Sequence, residues 1–320
     1  MAEAPARPVA AARAQAPGAT GAATMKAAPG GSAHKRAALL VRGHYPTAAA
    51  AARVATYASD LQAAPESERW HLWVSLDATK DPAVALRATD MLKDAWAAAG
   101  LDRNALRLHL YTEADMVSAY PVLDEEMRES AALLKCNELT SGKYSLAWGF
   151  HCEAINLWYQ ALPEEDTYDQ VWVIEDDVGF SGNIADLFRR FEGDSADLLT
   201  AEPGPVEEEW FWADTVSAAY AERIPLARRR KCGEHVQRLS RRFLRELHRL
   251  SADMRITGWS EQSTPTLCDW LEDCQVKNLP ADVLGSVYSW DGRVEEEEWN
   301  TLLSDASPGT KNRFYHALKW

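Results

Sequence analysis

Three consecutive acidic residues directly follow an apolar run in the middle of the chain. The segment Val171–Gly182 has the sequence VWVIEDDVGFSG, so Glu175, Asp176 and Asp177 stand where a buried β-strand would end. Ligands of parallel α/β sheets bind beyond the carboxyl ends of the strands. Three adjacent carboxylates repel one another there unless a cation lies among them, and oxygen ligands suit Mg²⁺ or Mn²⁺. The segment therefore predicts a divalent-metal site at a sheet edge, in preference to a solvated acidic turn.

The first third of the chain alternates between strand and helix patterns. The strands are predicted at Ala37–Val41, Trp70–Leu76 and Leu106–Tyr111, and the helices at Thr47–Ala64 and Pro82–Ala99. Strands that alternate with helices are typical of a parallel sheet with right-handed crossovers. The sequence therefore predicts an α/β fold with a mostly parallel central sheet flanked by helices.

Further elements are predicted around and after the acidic segment. They are an amphipathic helix at Ser145–Leu162, a strand at Asp169–Ile174, a short helix from Ser181 or Asn183 to Phe191, a strand at Ala196–Thr200 and a basic helix at Glu234–Ser251. The basic helix is predicted because apolar residues recur at helical spacing between the arginines.

Residues 1–36 differ in composition from the rest of the chain. They are rich in Ala, Pro and Gly, and they lack the apolar segment of a signal peptide. We expect a disordered tail or an organellar transit peptide there, and a single folded domain over residues 37–320.

The charge of the chain limits its partners. The net charge is −14, and because the first 36 residues hold five cations and one anion, the remainder carries −18. Such an acidic body disfavours nucleic acid and anionic membrane surfaces as partners. The sequence contains no apolar run long enough for a transmembrane helix. An anionic ligand would need a metal ion or a few local cations.

The acidic segment also carries a family resemblance. Glu175-Asp176-Asp177 is followed by Phe-Ser-Gly-Asn and by Asp186-Leu187-Phe188. This pattern resembles the DxD-type motif of nucleotide-sugar glycosyltransferases of the GT-A fold, and is similar to the N-acetylglucosaminyltransferase I type in particular. The resemblance implies a GT-A-like architecture in which residues 37–178 form the nucleotide-binding half and residues 179–320 the acceptor half. It identifies no specific family.

The resemblance assigns roles to residues at the strand ends. Asp177 would coordinate Mn²⁺ or Mg²⁺ between the two phosphates, while Glu175 and Asp176 would face the ribose and the sugar. Asp77, which ends the second strand, would lie near the base or ribose, and capping the following helix is the alternative role. Arg42, at the end of the first strand, would lie beside the nucleotide, and a surface arginine is the alternative.

Residues further along the chain complete the expected site. Lys143 would contact the nucleotide-sugar. His316 would bind the metal ion and Lys319 the phosphates. Glu261 would be the general base that takes a proton from the acceptor hydroxyl, although an acid at a helix N-terminus also benefits from the helix dipole. His151 is expected to be a core histidine.

The expected function follows from these roles. The chain would be a metal-dependent glycosyltransferase, hexosyl- or N-acetylhexosaminyl-type, that transfers a sugar from a nucleoside diphosphate sugar to a glycan or other hydroxyl acceptor with inversion. A GT-A-shaped sugar- or protein-binding module without catalysis and a metal-dependent phosphoesterase remain the alternatives. The resemblance implies the Golgi lumen, but without a visible anchor or signal peptide the plastid and cytosol stay open.

Tryptophans and cysteines add two expectations. Among the 13 tryptophans, those predicted in or near loops are candidates for stacking on sugar or base rings, namely Trp148, Trp210, Trp212, Trp259 and Trp290. Cys268 and Cys274 would either pair as a disulfide or remain free buried thiols.

Overall fold

The computed structural model describes residues 35–44, 46–163, 167–289 and 291–320. The expected N-terminal tail therefore lies outside the described residues except for Lys35 and Arg36, and so does Trp290. The strands are β1 (Ala37–Gly43), β2 (Trp70–Asp77), β3 (Arg107–Tyr111), β4 (Gln170–Glu175), β5 (Gly179–Phe180), β6 (Leu198–Pro205), β7 (Arg230–Ser240), β8 (Val276–Asn278), β9 (Leu284–Tyr288) and β10 (Phe314–His316).

The helices vary widely in length. They are α1 (Ala48–Ala63), α2 (Pro82–Ala98), α3 (Glu113–Ala119), α4 (Ala131–Lys135), α5 (Asn137–Thr140), α6 (His151–Gln160), α7 (Ile184–Phe191), α8 (Ala218–Arg223), α9 (Arg241–Ala252), α10 (Ser260–Trp270) and α11 (Glu296–Ser304). None of the described helices is long and apolar enough to span a membrane.

The central sheet has seven strands in the order β3-β2-β1-β4-β7-β6-β8. Within this described sheet only β7 runs against its neighbours, because β1 pairs in parallel with β2 and β4, and β6 with β8. Strands β5, β10 and β9 form a second sheet. The predicted α/β architecture with a mostly parallel central sheet flanked by helices is therefore confirmed.

Two apolar layers flank the central sheet because side chains of a strand alternate between its faces. Leu39 and Val41 of β1 join a core with helices α1, α2 and α7, whereas Ala38 and Leu40 face a core with α6 and α9. All four residues are buried. Burial on both faces explains why β1 has a continuous apolar sequence.

Two predicted helices differ from the structure. Residues 230–240 form β7 between β4 and β6, and α9 begins only at Arg241 after Ser240 accepts a hydrogen bond from the Phe243 N–H. The helical spacing of the apolar residues was misleading because sheet pairing decides the conformation of this segment. The predicted Ser145–Leu162 helix is broken into a short 3-10 turn at Leu146–Trp148 and α6.

Arg238 and the cysteines show further consequences of this packing. Arg238, which was expected on the basic helix, is fully buried in β7 and donates to Asp194 at 3.1 Å. Cys268 and Cys274 form a disulfide, and the other three cysteines are buried and free.

Candidate metal centre and active site

The acidic segment lies where the carboxyl ends of β1 and β4 meet. Glu175 is the last residue of β4, and the Asp176 N–H donates to the Arg42 carbonyl at 2.8 Å. Arg53 of α1 donates to the Asp176 carbonyl at 2.9 Å. A Cβ atom at Gly43 would overlap the Asp176 carboxylate, so the close approach of β1 to this turn requires glycine. The predicted position of the three acids at a sheet edge is thus confirmed by the strand pairing.

Two histidines from distant elements meet the Glu175 carboxylate. His235 of β7 places Nδ1 2.7 Å from Glu175 Oε2, and His316 of β10 places Nε2 3.8 Å from the same oxygen. The two imidazole rings stack with centroids 3.7 Å apart. Among the described residues, Glu175, His235 and His316 each offer a ligand atom within 4.8 Å of the others. This cluster therefore has the composition and spacing of a metal site.

His316 also faces the third acid of the segment. Its Nε2 lies 3.6 Å from Asp177 Oδ1, and its Nδ1 lies 2.8 Å from the Ser289 carbonyl. A hydrogen bond from Nδ1–H to that carbonyl leaves the Nε2 lone pair directed at the carboxylates, as in many metal sites. Lys319 Nζ lies 4.0 Å from Asp177 Oδ2. The structure thus brings together three of the residues predicted for metal and phosphate binding.

Burial and mutual repulsion disfavour the ionised form of two of the acids in this cluster. Burial raises the pKa of Asp176 to about 6 and, with Glu175 and Asp176 nearby, the pKa of Asp177 to about 7. Burial also lowers the pKa of His316 to about 4, which keeps its imidazole neutral and able to bind a cation. A divalent cation would relieve the repulsion among the carboxylates, so the donor set fits Mn²⁺ or Mg²⁺.

Asp77 lies at the neighbouring strand end, where its oxygens are held by several donors. It accepts hydrogen bonds from Ser145 and Thr79, and His44 Nδ1 lies 3.2 Å away. Burial raises the pKa of Asp77, but these bonds outweigh it and hold the pKa at about 2. The N-cap of α2 is Asp81, so the helix-capping alternative for Asp77 is wrong.

Arg42 and Lys143 occupy different surroundings. Arg42 is 7% exposed, its guanidinium donates to the Ala147 carbonyl at 3.4 Å, and its Nε has no hydrogen-bond partner in the described part of the chain. The alternative of a surface arginine is therefore wrong. Lys143 is exposed and lies 4.9 Å from the Tyr144 ring centroid. The Tyr144 ring lies 5.9 Å from His44, so Lys143 borders the Asp77 end of the site.

Glu261 occupies the first turn of α10 in a cluster of acids. Burial and the nearby Glu234 raise the pKa of Glu261 to about 8, with Glu175 adding to the repulsion. Glu234 of β7 is itself buried, and its Oε1 lies 3.1 Å from His151 Nδ1. His151 is buried at the start of α6, with Nε2 4.0 Å from Glu175 Oε1. A carboxyl with a raised pKa suits proton transfer near neutral pH.

Aromatic rings cluster beside Glu261. Trp212 and Trp259 stack with centroids 3.6 Å apart, Trp148 packs edge-on against Trp259 at 5.3 Å, and Tyr144 stacks on Trp148 at 4.9 Å. Trp259 is buried, whereas Trp148 and Trp212 remain half-buried and accessible. Trp210 packs partly buried against the same cluster.

Sequence reasoning missed His235, Glu234 and His44. His235 and Glu234 were placed at the start of a helix, where neither would be directed at Glu175. The Gly233-Glu234-His235 sequence carries two groups suited to metal or proton chemistry, but only the pairing of β7 with β4 brings them to the site. His44 follows β1 directly, and its position at a strand end was an available signal.

Comparisons with known proteins give structural likenesses only. No protein-family model and no curated protein matches this sequence. Solved structures with a similar fold include mouse xyloside xylosyltransferase 1 in its apo form. Its TM-score is 0.43, with 12% identity over 88% of this chain and 97% of that one. Another is the galactosyltransferase LgtC in complex with donor and acceptor sugar analogues. Its TM-score is 0.37, with 12% identity over 88% of this chain and 86% of that one.

A third likeness is to core-mannan synthase A from Aspergillus fumigatus in its Mn/GDP form. Its TM-score is 0.37, with 12% identity over 78% of this chain and 74% of that one. All three TM-scores are below 0.5, so the assignment of this site depends on the geometry described above.

Proposed function

We propose that this protein is a metal-dependent glycosyltransferase that transfers a sugar from a nucleoside diphosphate sugar to a hydroxyl acceptor. The observation that carries the proposal is the convergence of Glu175, Asp177 and His316, with Lys319 beside them, beyond the carboxyl ends of β1 and β4. This is the edge of an α/β sheet at which ligands bind. In an acidic body, a metal ion at this site and the Lys319 ammonium group would supply the positive charge that a diphosphate needs.

The metal ion would be held by Glu175, Asp177 and His316. When bound, Mn²⁺ or Mg²⁺ supplies charge neutralisation on the leaving diphosphate. The Lys319 ammonium group would add positive charge at the same place, because it lies 4.0 Å from Asp177 and has no shorter ion pair with another described residue. This assignment moves Glu175 from the sugar to the metal ion and leaves Asp176 to face the ribose or sugar.

The nucleotide would occupy the Asp77 end of the site. Asp77 is buried and ionised, and Ser145, Thr79 and His44 fix its orientation. Arg42 lies on the neighbouring strand β1, and its Nε atom has no hydrogen-bond partner among the described residues. Lys143 borders this end of the site. We assign the accessible rings of Trp148 and Trp212 to stacking on a sugar or base.

Glu261 would act as the general base in a single displacement. The acceptor oxygen forms a bond to the anomeric carbon as the bond to the diphosphate oxygen breaks, and the hydroxyl proton passes to the Glu261 carboxylate. This reaction inverts the anomeric centre. The transferred sugar would be a hexosyl or N-acetylhexosaminyl group and the acceptor a glycan or other hydroxyl.

Donor binding and turnover test the proposal together. A panel of nucleoside diphosphate sugars is added with and without Mn²⁺, and thermal shift and donor hydrolysis are followed. We expect one donor to raise the melting temperature only with the metal, and Asp177→Ala to remove that rise. The exposed Asp90 of α2 provides a matched control, since Asp90→Ala should retain it.

The outcomes separate the candidate functions. Absence of stabilisation and turnover with every nucleotide-sugar would contradict the glycosyltransferase proposal. Donor stabilisation without transfer or hydrolysis would favour a binding module, and metal-dependent hydrolysis of simple phosphate esters would favour a phosphoesterase.

A further inference from the structure

The carboxylate of Asp77 has little capacity left to contact a nucleotide. Thr79 donates to its Oδ1 atom through the backbone N–H, at 2.9 Å, and through the hydroxyl group. Its Oδ2 atom accepts from the Ser145 hydroxyl and lies 3.2 Å from His44 Nδ1. A carboxylate has about four lone-pair sites, so these donors occupy them. Only 4% of the Asp77 side chain is exposed. A ligand at this end of the site must therefore meet another residue.

His44 is more exposed than the carboxylate that it contacts. Gly43 of β1 is in register with Leu76 of β2, so the next residues along the two strands, His44 and Asp77, lie side by side at the sheet edge. Gly43 also approaches the Asp176 carboxylate closely, so His44 adjoins the acidic turn as well. Its side chain is 23% exposed. The imidazole is thus the accessible end of the hydrogen-bonded set around Asp77.

The ionised carboxylate sets which imidazole nitrogen carries the proton. Burial raises the pKa of Asp77, but its hydrogen bonds hold the pKa at about 2, so the carboxylate only accepts and His44 Nδ1 donates. In a neutral imidazole with Nδ1–H, the Nε2 atom carries the lone pair and is an acceptor. No hydrogen-bond partner of this Nε2 atom lies among the described residues. The Tyr144 ring, which stacks on Trp148, packs beside the imidazole with centroids 5.9 Å apart and limits its rotation.

We propose that His44 recognises the nucleoside of the donor, and that its Nε2 atom accepts a hydrogen bond from an O–H group of the ribose or an N–H group of the base. This inference rests on the proposed function, because it takes a nucleoside diphosphate as the ligand, and it adds the contact that selects the nucleoside. Asp77 is then a positioning residue that acts through His44. A nucleoside that lacks the matching donor group leaves the Nε2 lone pair without a partner and binds less tightly.

Two variants of His44 separate its two hydrogen bonds. In His44→Asn, the amide nitrogen can still donate to Asp77 from nearly the position of Nδ1, but no group remains at the position of Nε2. In His44→Gln, the amide oxygen can lie near the position of Nε2, and the bond to Asp77 is lost. Direct contact between Asp77 and the nucleotide would make the acceptor at the Nε2 position irrelevant.

The experiment compares nucleotides that differ by one donor group. Calorimetry with the full chain and Mn²⁺ measures the affinities of UDP, GDP, CDP and ADP. The tightest binder is then compared with its 2′-deoxy, 3′-deoxy and N-methylated-base forms. We expect one of these changes to weaken binding to the unaltered chain about five- to tenfold, as expected for one neutral hydrogen bond. A deoxy form with this loss identifies the ribose as the source of the donor group, and the methylated form identifies the base.

The variants assign that donor group to His44. The parent diphosphate should bind His44→Asn about five- to tenfold more weakly, and the sensitive analogue should then lose less than about twofold further, because its partner is already absent. His44→Gln should retain more affinity than His44→Asn. The control His248→Asn alters a histidine bonded to Tyr120 and should change neither the affinity nor the loss with the analogue.

Several outcomes would overturn the proposal. One is equal affinity of the unaltered chain and a folded His44→Asn variant for the parent diphosphate. Another is an analogue penalty that persists in full in this variant, because the donor group would then meet a different residue. Undiminished binding of all three analogues to the unaltered chain would overturn it without any variant. Failure of all four diphosphates to bind with Mn²⁺ would contradict the proposed function itself, and this inference with it.

Discussion

Neutralising Asp177 should stabilise the metal-free protein and abolish its response to metal. The carboxyl is buried against Glu175 and Asp176, and burial with this repulsion raises its pKa from 3.8 to about 7. At 1.36 kcal/mol per pKa unit, the ionised carboxylate costs the folded state up to about 4 kcal/mol. A quarter of the side chain is exposed, so we take about 2 kcal/mol as the expected gain for Asp177→Asn after solvent screening.

The pH dependence of this gain has a defined sign. Below pH 3.8 Asp177 is protonated in both the folded and the unfolded chain, so the variant gains nothing. Between pH 3.8 and about 7 the folded protein retains a proton that the unfolded chain releases, and the stability of the unaltered protein falls relative to the variant as the pH rises. Above about pH 7 the difference in the free energy of unfolding between the variant and the unaltered protein reaches its full value.

Urea unfolding in a chelator at pH 5 and pH 8 measures the effect. With a metal at 100 times its Kd, the unaltered protein should gain about 2.7 kcal/mol and the variant almost nothing, which reverses their order of stability. Asp90→Asn, on the exposed face of α2, is the matched control. Loss of stability in chelator at pH 8, or a full response of the variant to metal, would refute the reasoning.

Three further perturbations probe the base, the acidic turn and the buried arginine. Glu261→Gln should lower kcat by about 10²–10⁴-fold with donor affinity retained. In the unaltered enzyme, kcat/KM should rise with pH through about 8 as this base loses its proton. Equal kcat values of the variant and the unaltered enzyme would exclude Glu261 as the general base. Gly43→Ala should displace the Asp176 carboxylate and weaken metal binding in calorimetry. Gly193→Ala is the control, because no described residue lies within 4 Å of its Cβ position, and equal metal affinities of the two variants would contradict the reasoning. Arg238→Met removes the buried donor to the Phe191 and Ala196 carbonyls, while Lys277 remains 2.9 Å from Asp194. The variant should therefore lose about 1–3 kcal/mol in urea unfolding, and no measurable loss would contradict the structural role of this arginine.

The first half of the fold could be predicted because its signals are local. Strands β1, β2 and β4 are short apolar runs, and α2 begins at a proline that Asp81 caps. The structure reproduces these elements to within one or two residues. The position of the acidic segment followed as well, since any residue after a parallel strand must lie at the same sheet edge.

The segment around His235 could not be predicted in the same way. In residues 230–240 the apolar side chains Cys232, Val236 and Leu239 recur at helical spacing, so the local pattern favours a helix over a strand. Pairing with β4 and β6 overrides this local preference, and both partners are distant in sequence. The helix prediction therefore failed at the segment that supplies Glu234 and His235 to the site.

By itself, the sequence determined that an acidic, mostly parallel α/β protein carries three carboxylates at the end of a central strand. Hydrophobic patterning and strand–helix alternation suffice for that, because they act over a few residues. Only the tertiary structure decided which other groups meet those carboxylates. His235 lies 60 residues from Glu175 along the chain, and His316 arrives from a separate sheet. These contacts depend on long-range strand pairing, which a local sequence pattern does not reveal.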